Sequence, residues 1–116
     1  MAHDVFVSYS NKDKPIADAV VAGLENKGIS CWIAHRDFNP GVDWGSAIAE
    51  AVQSSQVMLL IFSENANGTR RVIDEVGLAV STGLDIIPFR VEDVQPTGIL
   101  KYFLSMKHWI RPLSRV

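Results

Sequence analysis

The sequence predicts an α/β fold, a single parallel sheet with helices packed on both of its faces. Three observations carry that expectation. Short apolar runs alternate with segments of helical periodicity from one end of the chain to the other. The longest such run, Val57-Met-Leu-Leu-Ile-Phe62, is almost continuously apolar, as a central strand covered on both faces must be. With 116 residues the chain makes one domain, long enough to bury a single core without disulfide or metal support.

Taken in order, Asp4-Val-Phe-Val-Ser8 is a first strand. Lys12 to Lys27 follows as a helix whose Ile16, Ala17, Val20, Val21 and Leu24 share a face, with Pro15 tolerated in its first turn and Gly28 as its stop. Ile29 to Ile33 is a second strand. The connection from Ala34 to Asp43 carries the turn signal Asn39-Pro40-Gly41 and is long for a βα unit. Asp43 then caps a helix over Trp44 to Ser54 that buries Ile48, Ala51 and Val52. Gln56 to Ser63 is the third strand. A polar loop from Glu64 to Gly68 leads into a helix capped by Asn67 or Thr69 and ended by Gly83. Asp85 to Val91 is a fourth strand, where Pro88 argues for an edge or bulged position. A short helix from Gly98 to Leu104 and a last strand, Lys107 to Ile110, close the pattern. Right-handed crossovers join such strands, and ligands bind beyond their carboxyl ends, which selects the loops after Ser8, Ile33 and Ser63.

Composition narrows the partners. A formal charge of −2 leaves no basic surplus for phosphate-backbone binding, so no nucleic acid is expected. The longest apolar run is about a third of a membrane span, so no membrane is expected either. Met1-Ala-His-Asp leads straight into a strand, which predicts no signal peptide. Cys31 stands alone within an apolar segment, which favours a packing role and a reducing, cytoplasmic setting. His3, His35 and His108 make no zinc spacing with it, so no metal is expected. Trp32 and Trp44 read as core and helix-start packing rather than base-stacking platforms, and Trp109 as core.

The stretch RRVIDEVGLAV, from Arg70 to Val80, is the candidate for chemistry. Val72, Ile73, Val76, Ala79 and Val80 gather on one helix face, Asp74 points away from it, and Glu75 falls at its edge. There a carboxylate is partly desolvated and can line a cleft, or it is simply the i+4 partner of Arg71. At the strand tips, Ser8, Ser10 and Asn11 either hydrogen-bond a phosphate or ribose or merely terminate a strand. Arg36 and Asp37 in the long connection either gate the cleft, pair with a neighbouring subunit, or stay solvated. A phosphoacceptor receiver would need an aspartate at the tip of the third strand, where Phe62-Ser63 stands. A flavin-phosphate cradle would need glycines after the first strand, and Ser8 to Asp13 has none. No P-loop or G-x-S-x-G elbow is present.

The segments DVFVSYSNKDK, CWIAHRDFNPGVDWG, VMLLIFSENANGTRRVIDEV, DIIPFRVEDV and YFLSMKHWI, in that order and spacing, resemble a Toll/interleukin-1 receptor (TIR) domain of the microbial type. The resemblance runs from about Asp4 to Ile110. It implies a flavodoxin-like three-layer sandwich with a five-stranded parallel sheet in the order 2-1-3-4-5. It also implies one of two functions, a scaffold that self-associates or binds other TIR domains through the loop after strand two, or an enzyme that cleaves NAD⁺ at its nicotinamide N-glycosidic bond. In the latter class the reaction uses a glutamate twelve residues after the serine that ends strand three, positions that Glu75 and Ser63 hold here. For that activity Ser8, Tyr9, Ser10, Asn11, Arg36, Asp37, Ser63 and Arg71 are the candidate substrate-binding residues, with NAD⁺ as substrate and no separate cofactor expected. Many catalytic members carry an aromatic residue four before the glutamate, where this sequence has Arg71. The family's role in antiviral defence or NAD⁺-based signalling is the expectation that follows. The family also has a helix after strand five, whereas Arg111 to Val116 are all that remain here, so that helix is expected to be missing.

Overall fold

The computed structural model describes residues 3–105 together with Lys107 and Trp109. Four parallel strands form one sheet in the order β2-β1-β3-β4: β1 (His3–Ser8), β2 (Cys31–Trp32), β3 (Ser55–Phe62) and β4 (Asp85–Arg90). The described residues thus make four strands rather than the five expected. The fifth, placed at Lys107 to Ile110, includes His108 and Ile110, which lie outside the described residues, as do Arg111 to Val116.

Alternation along the strands divides the core in two. Phe6, Met58, Leu60 and Phe62 face helices α3 (Trp44–Gln53), α5 (Arg70–Thr82) and α6 (Gly98–Leu104), meeting Val52, Val72, Val76, Ala79, Leu100 and Leu104. Val5, Val7, Tyr9 and Ile61 face the other way, onto Ala17 and Val21 of α1 (Lys14–Asn26). With both faces covered from Val57 onward, β3 has no side there on which a polar residue is tolerated, which is why Val57 to Phe62 is an unbroken apolar run.

Elsewhere the local chemistry explains where the elements stop. A 3-10 turn over Asn11–Asp13 precedes α1, so the helix begins two residues later than the periodicity predicts. Strand β2 is cut to two residues because its flanks bond elsewhere: Asp4 takes the Ser30 N–H at 2.9 Å, and the Ile33 N–H goes to the Asp37 carboxylate at 2.9 Å. The long connection after it is partly helical, α2 (Ala34–Asp37), and so is the polar loop after β3, α4 (Glu64–Asn67). Asp43 caps α3 as expected, its carboxylate accepting the Ser46 N–H at 2.9 Å. Gly83 ends α5 at φ 78°, a left-handed position where a Cβ would be strained. Cys31 packs in the core, and burial, followed by the nearby Glu25 carboxylate, pushes its thiol up to about 11.

Candidate active site

The carboxyl end of β1 and the first turns of α5 converge on one acid. Val72, Val76 and Ala79 are fully buried and fix the inner face of α5, and the same rotation carries Glu75 inward, leaving it 3 % exposed. Both of its oxygens are engaged. The Ser8 hydroxyl at the end of β1 donates to Oε1 at 2.8 Å, and the Arg71 guanidinium stands 3.7 Å from Oε2, one turn back on the helix. Burial pushes the carboxyl up to about 7; the Arg71 charge and the Ser8 hydrogen bond pull down against it and lose. Asp74 points outward and pairs with exposed Arg70 at 3.1 Å.

Arg71 joins this acid to an open cleft. Its guanidinium donates to the Tyr9 carbonyl and lies over the Tyr9 ring, 4.6 Å from the centroid. The cleft holds about 610 Å³ and is lined by Tyr9, Asn11, Ala34, His35, Phe38, Pro40, Trp44 and Arg71. That volume is within the range of small-molecule sites, and its walls are mainly aromatic and apolar with a few polar groups, as such sites require. The Tyr9 hydroxyl lies 2.5 Å from His35 Nδ1, and His35 Nε2 lies 2.6 Å from an Asp18 carboxylate oxygen. An ionised Asp18 only accepts, so a neutral His35 carries its proton on Nε2 and accepts the Tyr9 hydroxyl at Nδ1. Behind the cleft floor, buried Asp13 accepts the Ser63 hydroxyl and, at 3.1 Å, the Asn65 amide, tying the loop after β1 to the loop after β3.

A family model described as "TIR domain" matches residues 5–114. The chain belongs to the TIR-domain family. No curated protein matches it. Among solved structures it is similar to the TIR domain of the Toll-related receptor TRR-2 from Hydra magnipapillata, with a TM-score of 0.83 and 22% identity over 95% of this chain and 84% of that one. It is also similar to the TIR domains of the activated Roq1 resistosome, which recognises the pathogen effector XopQ (TM-score 0.66, 20% identity, 76% of this chain and 57% of that one). A third likeness is to a metazoan TIR-STING receptor from C. gigas, at TM-score 0.66 and 24% identity over 78% of this chain and 31% of that one. At these identities the likeness is one of fold, and the chain spans less than two thirds of the last two relatives.

Within the TIR domain the expected site residues separate into three places. Ser8 and Arg71 touch Glu75, while Tyr9 and Asn11 line the cleft beside it. Ser10 and Ser63 are turned to structural work. Ser10 is buried, and its carbonyl accepts the Asp13 N–H at 2.7 Å; Ser63 donates to Asp13 and accepts the Ala66 N–H at 3.3 Å, capping α4. Arg36 and Asp37 stand apart from Glu75. Arg36 grips Glu25 with two bonds of 2.8 and 3.0 Å, Asp37 with two of 2.8 and 2.9 Å, and the Cys31 carbonyl at 2.9 Å. Burial pushes the Asp37 carboxyl up, but Arg36 and the Ile33 N–H more than offset it and hold the group below the usual range. Asp37 lines a separate hollow of about 230 Å³ together with His3, Trp32 and Asn39.

Trp44 packs at the start of α3 as expected, but only in part. It is 42% exposed, packs its ring against Phe38 at 4.7 Å, and forms a wall of the cleft. His35, Phe38 and Pro40, outside the expected substrate-binding set, also line the cleft. Only the folding of the connection after β2 back over the end of β1 brings them there, and no spacing in the sequence encodes that approach.

Proposed function

We propose that this TIR domain cleaves NAD⁺ at the bond between nicotinamide N1 and ribose C1′, with Glu75 as the essential carboxylate. The observation that carries it is a nearly fully buried acid at the strand tips, set behind Arg71 at the edge of a cleft of about 610 Å³. One acid suffices for this bond. Nicotinamide departs from a cationic pyridinium as a neutral base and takes the bonding electron pair, so no second acid is needed to protonate a leaving oxygen. Positive charge develops on the ribosyl centre, and an ionised carboxylate in a water-poor site stabilises it more strongly than water would. Water then adds at C1′ and loses a proton, giving ADP-ribose, nicotinamide and H⁺; capture by an atom of the same nucleotide gives a cyclic product instead. Ser8 holds Glu75 in place through Oε1. Phe38 and Trp44 provide ring surfaces for a base, and Asn11 a polar contact for ribose or phosphate. Self-association completes the site, in line with the exposure of Trp44 in the cleft wall and of Val42 two residues before it.

That same exposure favours a second reading, a scaffold that binds other TIR domains through residues 34–43. The two readings part at Glu75→Gln, which keeps the side chain's size and its hydrogen bond from Ser8. Nicotinamide release from NAD⁺ by concentrated protein, with products separated by mass, should fall by at least about a hundredfold in the variant, the order expected for losing charge stabilisation at the reacting centre. Unchanged release in a folded variant would remove Glu75 from the reaction.

A further inference from the structure

We propose that Arg71 is a phosphate-responsive latch on Glu75: an anionic group of the bound substrate draws the guanidinium away from the carboxylate, which restricts the cleft to phosphorylated ribosides. The inference rests on Glu75 being the reacting group and adds what the site demands of its substrate.

The obstruction is plain in the geometry. Glu75 is 3 % exposed, Ser8 occupies Oε1, and Arg71 stands between Oε2 and the cleft that it also lines. A ribosyl carbon cannot approach Oε2 while the guanidinium is there. The hold is loose on the Glu75 side, because 3.7 Å is an ion pair beyond hydrogen-bond range. Stronger attachments tie Arg71 to Tyr9, through its carbonyl and its ring face. Tyr9 in turn is fixed through His35 to Asp18, so the seat stays put and the long arginine side chain is the part free to move. A pyrophosphate entering the cleft offers the guanidinium two parallel charge-assisted bonds, which the distant Glu75 oxygen does not. Glu75 keeps its place through Ser8 when Arg71 leaves. Nicotinamide riboside, by contrast, brings only a pyridinium cation, which Arg71 repels and which has nothing to draw the guanidinium aside.

Two measurements decide this. The first needs no turnover: the Glu75 carboxyl is followed by carbon-13 NMR, assigned with Glu75→Gln, and titrated with and without inorganic pyrophosphate. Removing a neighbouring cation favours the protonated acid, so pyrophosphate should raise the titration midpoint in the wild-type chain and leave Arg71→Gln, whose midpoint is already higher, unmoved. An unmoved wild-type midpoint, or equal movement in the two proteins, overturns the latch. If Arg71→Gln does not fold, the wild-type titration decides alone. The second compares nicotinamide release from NAD⁺ and from nicotinamide riboside. The wild-type preference for NAD⁺ should narrow roughly tenfold or more in Arg71→Gln, the loss expected for a charge-assisted hydrogen bond, and an unchanged preference overturns the proposal. No release from either substrate by either protein refutes the catalytic reading of Glu75 while the titration still judges the latch.

Discussion

At the scale of the residue, the carboxyl of Glu75 is pushed up to about 7 in the folded chain, against an ordinary value of 4.5, because burial outweighs the Arg71 charge beside it. The consequence for stability has a definite sign. Between those two values the folded chain binds a proton that the unfolded chain has released, so this group costs stability as pH rises, not at all below about 4.5 and fully above about 7. Glu75→Gln has no such proton to lose. Denaturant unfolding across that window should therefore show the variant gaining on the wild-type chain as pH rises, by up to roughly 3 kcal/mol. Parallel pH profiles for the two proteins would mean that Glu75 is not desolvated as described.

At the scale of the element, the site depends on two loops held together from below. Asp13 begins the approach to α1, and Ser63 and Asn65 belong to the start of α4, yet one buried carboxylate accepts hydrogen bonds from both. Removing it leaves a buried hydroxyl without its acceptor. Asp13→Ala should cost roughly 1 to 3 kcal/mol in denaturant unfolding and raise amide exchange in both loops together. A change confined to one loop would show that the two are not coupled through this residue. Helix α5 carries an opposite kind of tension: Arg70 and Arg71 both sit where the helix dipole favours anions, a cost of about 0.3 to 1 kcal/mol for each. Arg70 offsets it with Asp74 in solvent, Arg71 with Glu75 and Tyr9 inside.

For the molecule as a whole, the segment after β2 presents exposed apolar surface. Val42, in the smaller hollow, and Trp44, in the wall of the cleft, are 39% and 42% exposed. If copies associate there, as the proposed reading requires, nicotinamide release should rise more steeply than protein concentration. Val42→Asp should abolish that steepness, as seen in nicotinamide release against concentration and in sedimentation, while changing monomer stability by no more than about 0.5 kcal/mol. Unaltered association would place the contact elsewhere. Among the described residues no helix is long and apolar enough to cross a membrane, and no group of three or more His, Cys, Asp and Glu side chains is placed to hold a metal.

What could be read from the sequence follows from how far each effect reaches along the chain. Periodicity of 2 and 3.6 residues is a local property, so the four described strands, the main helices, the Asp43 cap and the Gly83 stop are legible, as is the inward edge on which Glu75 sits, while the length of β2 is not. Short polar helices such as Ala34–Asp37 and Glu64–Asn67 have no room to show a period, and they were read as loop. The site itself was only half legible. The pairing of Arg71 with Glu75 is an i+4 relation and visible in the sequence, but its meaning depends on Tyr9 sitting beneath the guanidinium, 62 positions away. Burial by the whole fold, not the identity of its neighbours in sequence, moved Glu75 from an ordinary surface acid to one that titrates near neutrality. The sequence determined which faces would be apolar and where each element would turn; the tertiary structure alone decided which polar groups those faces would trap together, because desolvation and long-range hydrogen bonds exist only once the chain has closed around them.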